Sequence, residues 1–283
     1  MKREVERDLT AAQAMENTTL RQRNQTAILS VLFTMLFRVV KSPTGKSNEV
    51  LTATLGGLAK FAHFINIDFF ADLVNALHDL TAADDESSAL TPLQSVHVVR
   101  TVFTLLDGQG SSLNIDPHRF YLLLEKSIPE FDASTKDPDV VFPAILDTLD
   151  AALLRRRKTL TKPRVAAFLR VLVKSSLAAP TPAAAAFLLT CKTLLHAHPW
   201  AMAYLLEAEE ESAGPISVIG TPRTEGASGW DLARLRSSPC EEVQLLANHL
   251  SAGCPITGPN TLPGTLGKLS PLDLFQSMSQ KVS

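Results

Sequence analysis

The stretch Leu58-Ala59-Lys60-Phe61-Ala62-His63-Phe64-Ile65-Asn66-Ile67-Asp68-Phe69-Phe70 decides how this chain is read. An apolar helical run leads into Asn-Ile-Asp, and a new helix then opens on aromatics. The outline returns from Leu106 through Asp107, Gly108, Gln109 and Gly110 to Asn114-Ile115-Asp116-Pro117-His118-Arg119-Phe120-Tyr121. In this second copy Asp116 is placed to cap a helix, Pro117 suits its first position, and Ile115 can staple onto Phe120. Asn66 and Asn114 lie 48 positions apart (114 − 66), close to the roughly 40–47 residues of two-helix solenoid repeats. The pair points to helices stacked two by two.

The chain outward from this stretch reads as helices. Residues 1–22 are polar and helix-compatible, the end of a charged helix. In Thr26–Val40 the polar residues Thr26, Ser30, Thr34 and Arg38 recur every four positions, a narrow stripe on an otherwise apolar cylinder; such a helix is expected to be buried on most sides. Leu51, Leu55, Leu58, Ala62 and Ile65 trace one face of the next helix. There Gly56-Gly57 costs about 1 kcal/mol per glycine against alanine, which close approach of another helix would justify. Phe69, Phe70, Leu73, Val74, Leu77 and Leu80 mark a third helix over about 68–81. Thr91-Pro92-Leu93-Gln94 is a capping box opening a helix to about Leu106. Further helices are expected from Asp116, over a segment ending at Arg155–Lys158 with Pro143 kinking or delaying it, from a Thr161 cap, and from Thr181-Pro182 to just before Pro199. Residues 212–229 and 252–269, rich in Gly, Pro, Ser and Thr, read as loop. Short helices are expected near Trp230–Leu235, Glu241–Leu250 and Pro271–Met278.

Composition agrees. The chain is 45% hydrophobic and 20% charged, which excludes wholesale disorder, and its 6% aromatic content with no strict alternation argues against strands. The fold expected is all-α: a HEAT/armadillo-like helical-pair solenoid, divided into a charged N-terminal helix segment (1–22), a helical-repeat domain (23–211) and a loop-rich extension (212–283) packed back on it.

A formal charge of −2 and a pI near 6.4 lack the basic excess of a protein built to grip phosphate backbones, so nucleic-acid contact is expected to be local and the balance favours protein partners. Cys191, Cys240 and Cys254, an odd set without CxxC spacing, read as reduced thiols rather than a disulfide framework or zinc site. The charged start (Lys2, Arg3, Glu4, Glu6, Arg7, Asp8) has no apolar core after it and does not read as a signal peptide. The apolar run Ala27–Phe37 falls well short of the ~20 residues of a membrane span. No membrane contact is expected.

Among motifs with chemistry, the cluster Arg155, Arg156, Arg157, Lys158, Lys162 and Arg164 stands out in a near-neutral chain. It reads as a contact for RNA or an acidic partner, against the plainer role of cations completing a helix C-terminus. No aromatics are interleaved, so sequence-specific base reading is not expected. His196 and His198 stand two apart, not the four that would let both face one metal. Asp107–Gly110 reads as a helix-ending turn, and Thr44–Ser47 has the tail of a phosphate loop without its leading glycines or strand. Phe61, Phe64, Phe69 and Phe70 are expected in the core. Asp68 and Asp116 read as caps, not a catalytic pair. Without a serine elbow, HExxH or dinucleotide fingerprint, the chain reads as a non-enzyme with no cofactor.

The words quoted above, with Gln25–Arg38 upstream, Asp147–Lys158, and Trp230-Asp231-Leu232, Gln244–Pro255 and Pro271–Phe275 in that order, closely resemble the C-terminal region of the nucleolar complex protein 3 family. That region carries a CCAAT-binding-factor-type domain. The resemblance covers about residues 20–276 and makes Leu58, Phe61, His63, Asn66, Asp68, Phe69, Phe70, Gly108, Gly110, Asn114, Asp116, Pro117, Phe120 and Tyr121 its signature, with structural roles. It implies a nucleolar protein in the nucleus that acts with a sister nucleolar complex protein (number 2) on maturation and intranuclear transport of large-subunit pre-ribosomal particles, with local precursor-rRNA contact. The alternative it implies is a chromatin-associated replication-licensing factor that meets origin-loading proteins. It also implies that the family's upstream helices lie outside this chain. The family's basic and aromatic stretch is here replaced by Arg234–Val243.

Overall fold

The computed structural model describes residues 2–41, 47–65, 69–81, 90–107, 116–203 and 228–282, though not every side chain within them. All regular structure among them is helical. The chain divides into two compact units, Met1–Ala89 and Leu90–Ser283.

The first unit holds α1 (Lys2–Lys41), α2 (Asn48–Phe61) and α3 (Phe70–Thr81). The charged N-terminal segment and the apolar Thr26–Val40 run are one uninterrupted helix. Ser47 opens α2 by accepting from the Val50 amide at 3.4 Å, so the end of the Thr44–Ser47 motif serves as a helix cap. Thr54, Leu55, Leu58 and Ala59 form the buried face of α2, and Phe70, Leu73, Val74, Leu77 and Leu80 that of α3. Gly57 faces Leu36 of α1 with room to spare: a Cβ there would stand 3.9 Å from the leucine methyls, an ordinary contact. The close approach expected to justify this glycine is therefore absent. The α1 expectation also needs correction. Phe33 and Val40 are buried, but Ile28, Val31 and Met35 are exposed, so this apolar helix buries one face only.

The second unit begins with α4 (Pro92–Asp107), opened by the expected capping box. The Gln94 carboxamide accepts from the Thr91 amide at 2.9 Å, and the Thr91 hydroxyl accepts from the Gln94 amide at 3.3 Å. Asp116 accepts from the His118 amide at 2.9 Å at the head of α5 (His118–Ser127). Next come α6 (Pro138–Leu149), α7 (Lys162–Ser175) and α8 (Thr181–Ala197). Pro143 lies inside α6, so the helix start is not delayed to it; the carbonyl its missing N–H leaves free belongs to exposed Asp139. Thr161 stands at the N-cap of α7 through its backbone, but its side chain makes no capping bond. The chain closes with α9 (Ser228–Leu235), α10 (Glu241–Ser251), the short α11 (Gly264–Gly267) inside the expected loop, and α12 (Pro271–Val282).

Helix α8 is the centre of this unit. Ala183 to Cys191 are all buried, because α6, α7, α10 and α12 pack around it. Four consecutive alanines (183–186) let neighbours come close, and Phe187 meets Phe142, which also meets Phe275 of α12. A second aromatic knot joins Phe103, Tyr121 and Phe168 from α4, α5 and α7. The His249 ring, buried on α10, bonds the Asn260 carbonyl at 2.9 Å and ties down the loop after that helix.

Candidate functional site: the basic segment after α6

The α6 helix passes into a single π turn, Asp150–Leu154, closed by the Arg155 amide donating to the Asp150 carbonyl at 3.0 Å. Such a turn holds one residue more than an α turn and so rotates the residues after it relative to the helix before it. Tyr121 steadies this one: its hydroxyl donates to the Ala152 carbonyl at 3.1 Å.

The six cations expected to act together are divided by the fold. Arg155 donates to Asp150 at 2.7 Å and lies 3.8 Å from Asp107; these carboxylates raise its pKa further and neutralise it locally. Arg156 turns inward and donates to the Leu106 carbonyl at 3.2 Å, at the negative end of α4. Its Nε is buried with no partner among the described residues. Arg164 lies over the Tyr121 ring at 4.1 Å and donates to His118 Nδ1 at 2.9 Å, since a guanidinium has no acceptor. Burial lowers the Arg164 pKa, opposed by Tyr121, Asp116 and Glu125. Burial raises the Tyr121 hydroxyl, opposed by Arg156 and then Arg164, and raises the Glu125 carboxyl, opposed by Arg164. Arg156 and Arg164 thus join α4, α5, the π turn and α7.

Arg157, Lys158 and Lys162 remain outward-facing. The Lys162 ammonium lies 5.7 Å from the Trp200 ring centre, and His198 meets the same ring edge-on at 5.6 Å. No aromatic is interleaved with the basic run, but Trp200 is brought to it from beyond the end of α8. Sequence spacing carried no signal for this pairing. What the surface can do is hold anions and stack a planar group.

The other expected sites resolve as packing or lie elsewhere. Leu58, Phe70, Phe120 and Tyr121 are buried, Phe61 and Pro117 half-buried, and His63 exposed. Phe64 and Phe69 are more than half exposed, so only part of the phenylalanine cluster is core. Phe69 touches Phe37 edge-on at 6.3 Å. Asn66, Asp68, Gly108, Gly110 and Asn114 lie outside the described residues, as does the Asp68 cap. Cys191 is fully buried and its thiol is pushed far up, while burial raises Cys254 to about 11. Among the described residues, no group of three or more His, Cys, Asp or Glu could hold a metal, and no helix is long and apolar enough to cross a membrane.

The sequence that builds these helices has known relatives. Residues 95–249, more than half of the chain, match the CBF/Mak21 family, and the chain belongs to it. It is similar to the nucleolar complex protein 3 homolog of Homo sapiens, 34% identical over 279 residues, which cover 97% of this chain and 34% of that protein. Nucleolar complex protein 3 of Drosophila melanogaster is 34% identical over 285 residues (96% and 33%). The nucleolar complex-associated protein 3 of Schizosaccharomyces pombe is 25% identical over 279 (88% and 36%). The chain spans about a third of the length of these relatives.

Proposed function

We propose that this chain is a nucleolar, non-catalytic docking protein of ribosome biogenesis. It acts with a sister nucleolar complex protein (number 2) in maturation and intranuclear transport of large-subunit precursors. The observation that carries this reading is the near full-length match of the chain to proteins named nucleolar complex protein 3 from human to fly. Helices adjacent in the chain pair in space, α4 with α5, α7 with α8 and α9 with α10, which supports reading the array as HEAT/armadillo-like. Work is then done by surfaces rather than a cleft. Arg157, Lys158 and Lys162, the last of them against Trp200, make the local contact with precursor RNA, and the neutral remainder meets protein.

Purification of the tagged chain from nuclear extract, with and without RNase, tests this. The expected result is large-subunit precursor rRNA together with the sister protein, the protein pair surviving RNase. The triple substitution Arg157→Glu, Lys158→Glu, Lys162→Glu lowers RNA recovery several-fold and leaves the protein pair intact. Recovery of origin-loading proteins without precursor rRNA would overturn the reading in favour of replication licensing.

A further inference from the structure

Helix α1 has two apolar faces. At about 100° per residue, Leu29, Phe33, Leu36 and Val40 fall on one side. This side packs within the first unit, and Phe33 and Val40 are buried. Leu20, Ile28, Val31 and Met35 fall on the opposite side and are 49%, 67%, 57% and 62% exposed. Ile28, Val31 and Met35 form an apolar patch about 10 Å long at 1.5 Å per residue, with exposed Asn24 between it and Leu20. A helix that meets only water on a face carries polar residues there, and three large aliphatics exposed together at i, i+3 and i+7 mark an interaction surface. The charge around the stripe has one sign. Between Glu16 and Glu49 the sequence has no acidic residue, but it has Arg21, Arg23, Arg38, Lys41 and Lys46. Arg21, Arg23 and Lys41 are exposed.

We propose that this face of α1 binds an amphipathic helix of another protein, with aliphatic side chains at i, i+3, i+4 and i+7 and carboxylates along its edges. This rests on the docking-protein reading and gives it a surface and a kind of partner. Two observations select this occupant. A second copy would bring two basic stripes together, an unfavourable pairing, whereas acidic flanks complement them. Nucleic acid would leave Ile28, Val31 and Met35 against phosphate and sugar, with no aromatic on the stripe to stack a base. Aliphatic anchors at helical spacing are how one helix is seated on another.

A photo-crosslinking amino acid at Val31, in the tagged chain expressed in cells, provides the test. The crosslinked peptide is sequenced from the purified assembly. The expected product is a net-acidic, amphipathic segment of another protein. Val31→Glu with Met35→Glu should lower recovery of that protein at least ten-fold with an unchanged far-UV spectrum and melting midpoint. Arg21→Glu, Arg23→Glu and Lys41→Glu together, which leave the apolar stripe intact, should weaken it and flatten its salt dependence. A crosslink to RNA, to a second copy or to the chain itself overturns the proposal, as does no crosslink. If no precursor rRNA co-purifies, the ribosome-biogenesis reading fails, while the crosslinked peptide still judges the face.

Discussion

Two stretches of this chain read alike, Thr26–Val40 in α1 and Thr181–Ala197 in α8: both are apolar nearly all round. The structure treats them differently. Helix α8 is enclosed by four helices and hides every residue from Ala183 to Cys191. Helix α1 hides one face and shows Ile28, Val31 and Met35 to solvent. An all-round apolar pattern therefore states a capacity for burial and not the partner that supplies it. The difference lies in side-chain size. Alanines let several helices crowd around α8, while large aliphatics line the exposed face of α1.

Substitutions sharpen the contrast. Phe187→Ala removes a ring packed on Phe142 at the centre of the second unit. It should cost about 3–5 kcal/mol, whereas Val31→Ala should stay within about 0.5 kcal/mol. Both tryptophans, Trp200 and Trp230, lie in the second unit, so denaturant unfolding followed by fluorescence reads Phe187 and far-UV dichroism reads Val31. Equal effects would mean that the two helices are equally buried and would break the comparison.

Acid should strain the second unit next. Burial, with a smaller push from Arg100, lowers His97 to about 4 from its ordinary 6.5, and its Nδ1 has no partner among the described residues. Above pH 6.5 the ring is neutral folded or unfolded and costs nothing. Between 6.5 and 4 the unfolded chain takes up a proton that the folded one refuses, so stability falls as pH falls, by up to about 3 kcal/mol. The tryptophan-monitored unfolding midpoint should drop across that window, and His97→Gln should flatten the drop. A pH-independent midpoint would mean that His97 is hydrated.

The basic segment divides in the same manner. Arg156→Met removes the donor to the Leu106 carbonyl and should cost about 1–3 kcal/mol. Arg157→Ala with Lys158→Ala should change stability by less than about 0.5 kcal/mol, so thermal melts separate the joining cations from the outward ones. Smallest, and opposite in sign, Gly57→Ala should stabilise the first unit by about 0.5–1 kcal/mol, because the space beside Leu36 already accepts a methyl. A loss there would mean that the Leu36 methyls lie closer to the added Cβ than 3.9 Å.

The features legible in the sequence were local. The Thr91–Gln94 box, the Asp116 cap, the faces of α2, α3 and α7 and the extent of α8 come from spacing and capping chemistry, both properties of neighbouring residues. The features that escaped were set by distant partners. Nothing in Arg155–Arg157 announces that the middle arginine turns inward, because its acceptor, Leu106, lies 50 residues away. Trp200 meets Lys162 for the same kind of reason. The exposed Phe64 and Phe69 share their hydrophobicity with buried Phe70, so residue type alone does not separate them.

The π turn at Asp150–Leu154 bears on how this segment tolerates gain or loss of a residue. Because the π turn holds one residue more than an α turn, losing one residue there would leave an α turn with the side chains after it near their present places, whereas a gained residue would slip the basic run by one position. Because Arg155, Arg156 and Arg157 are identical in kind, the slipped chain would again offer an arginine to the α4 carboxyl end, with Arg156 moving into the first outward place. The triple arginine would thus be a register-proof plug: the inward position would keep its cation whether the count of residues before it rose or fell by one.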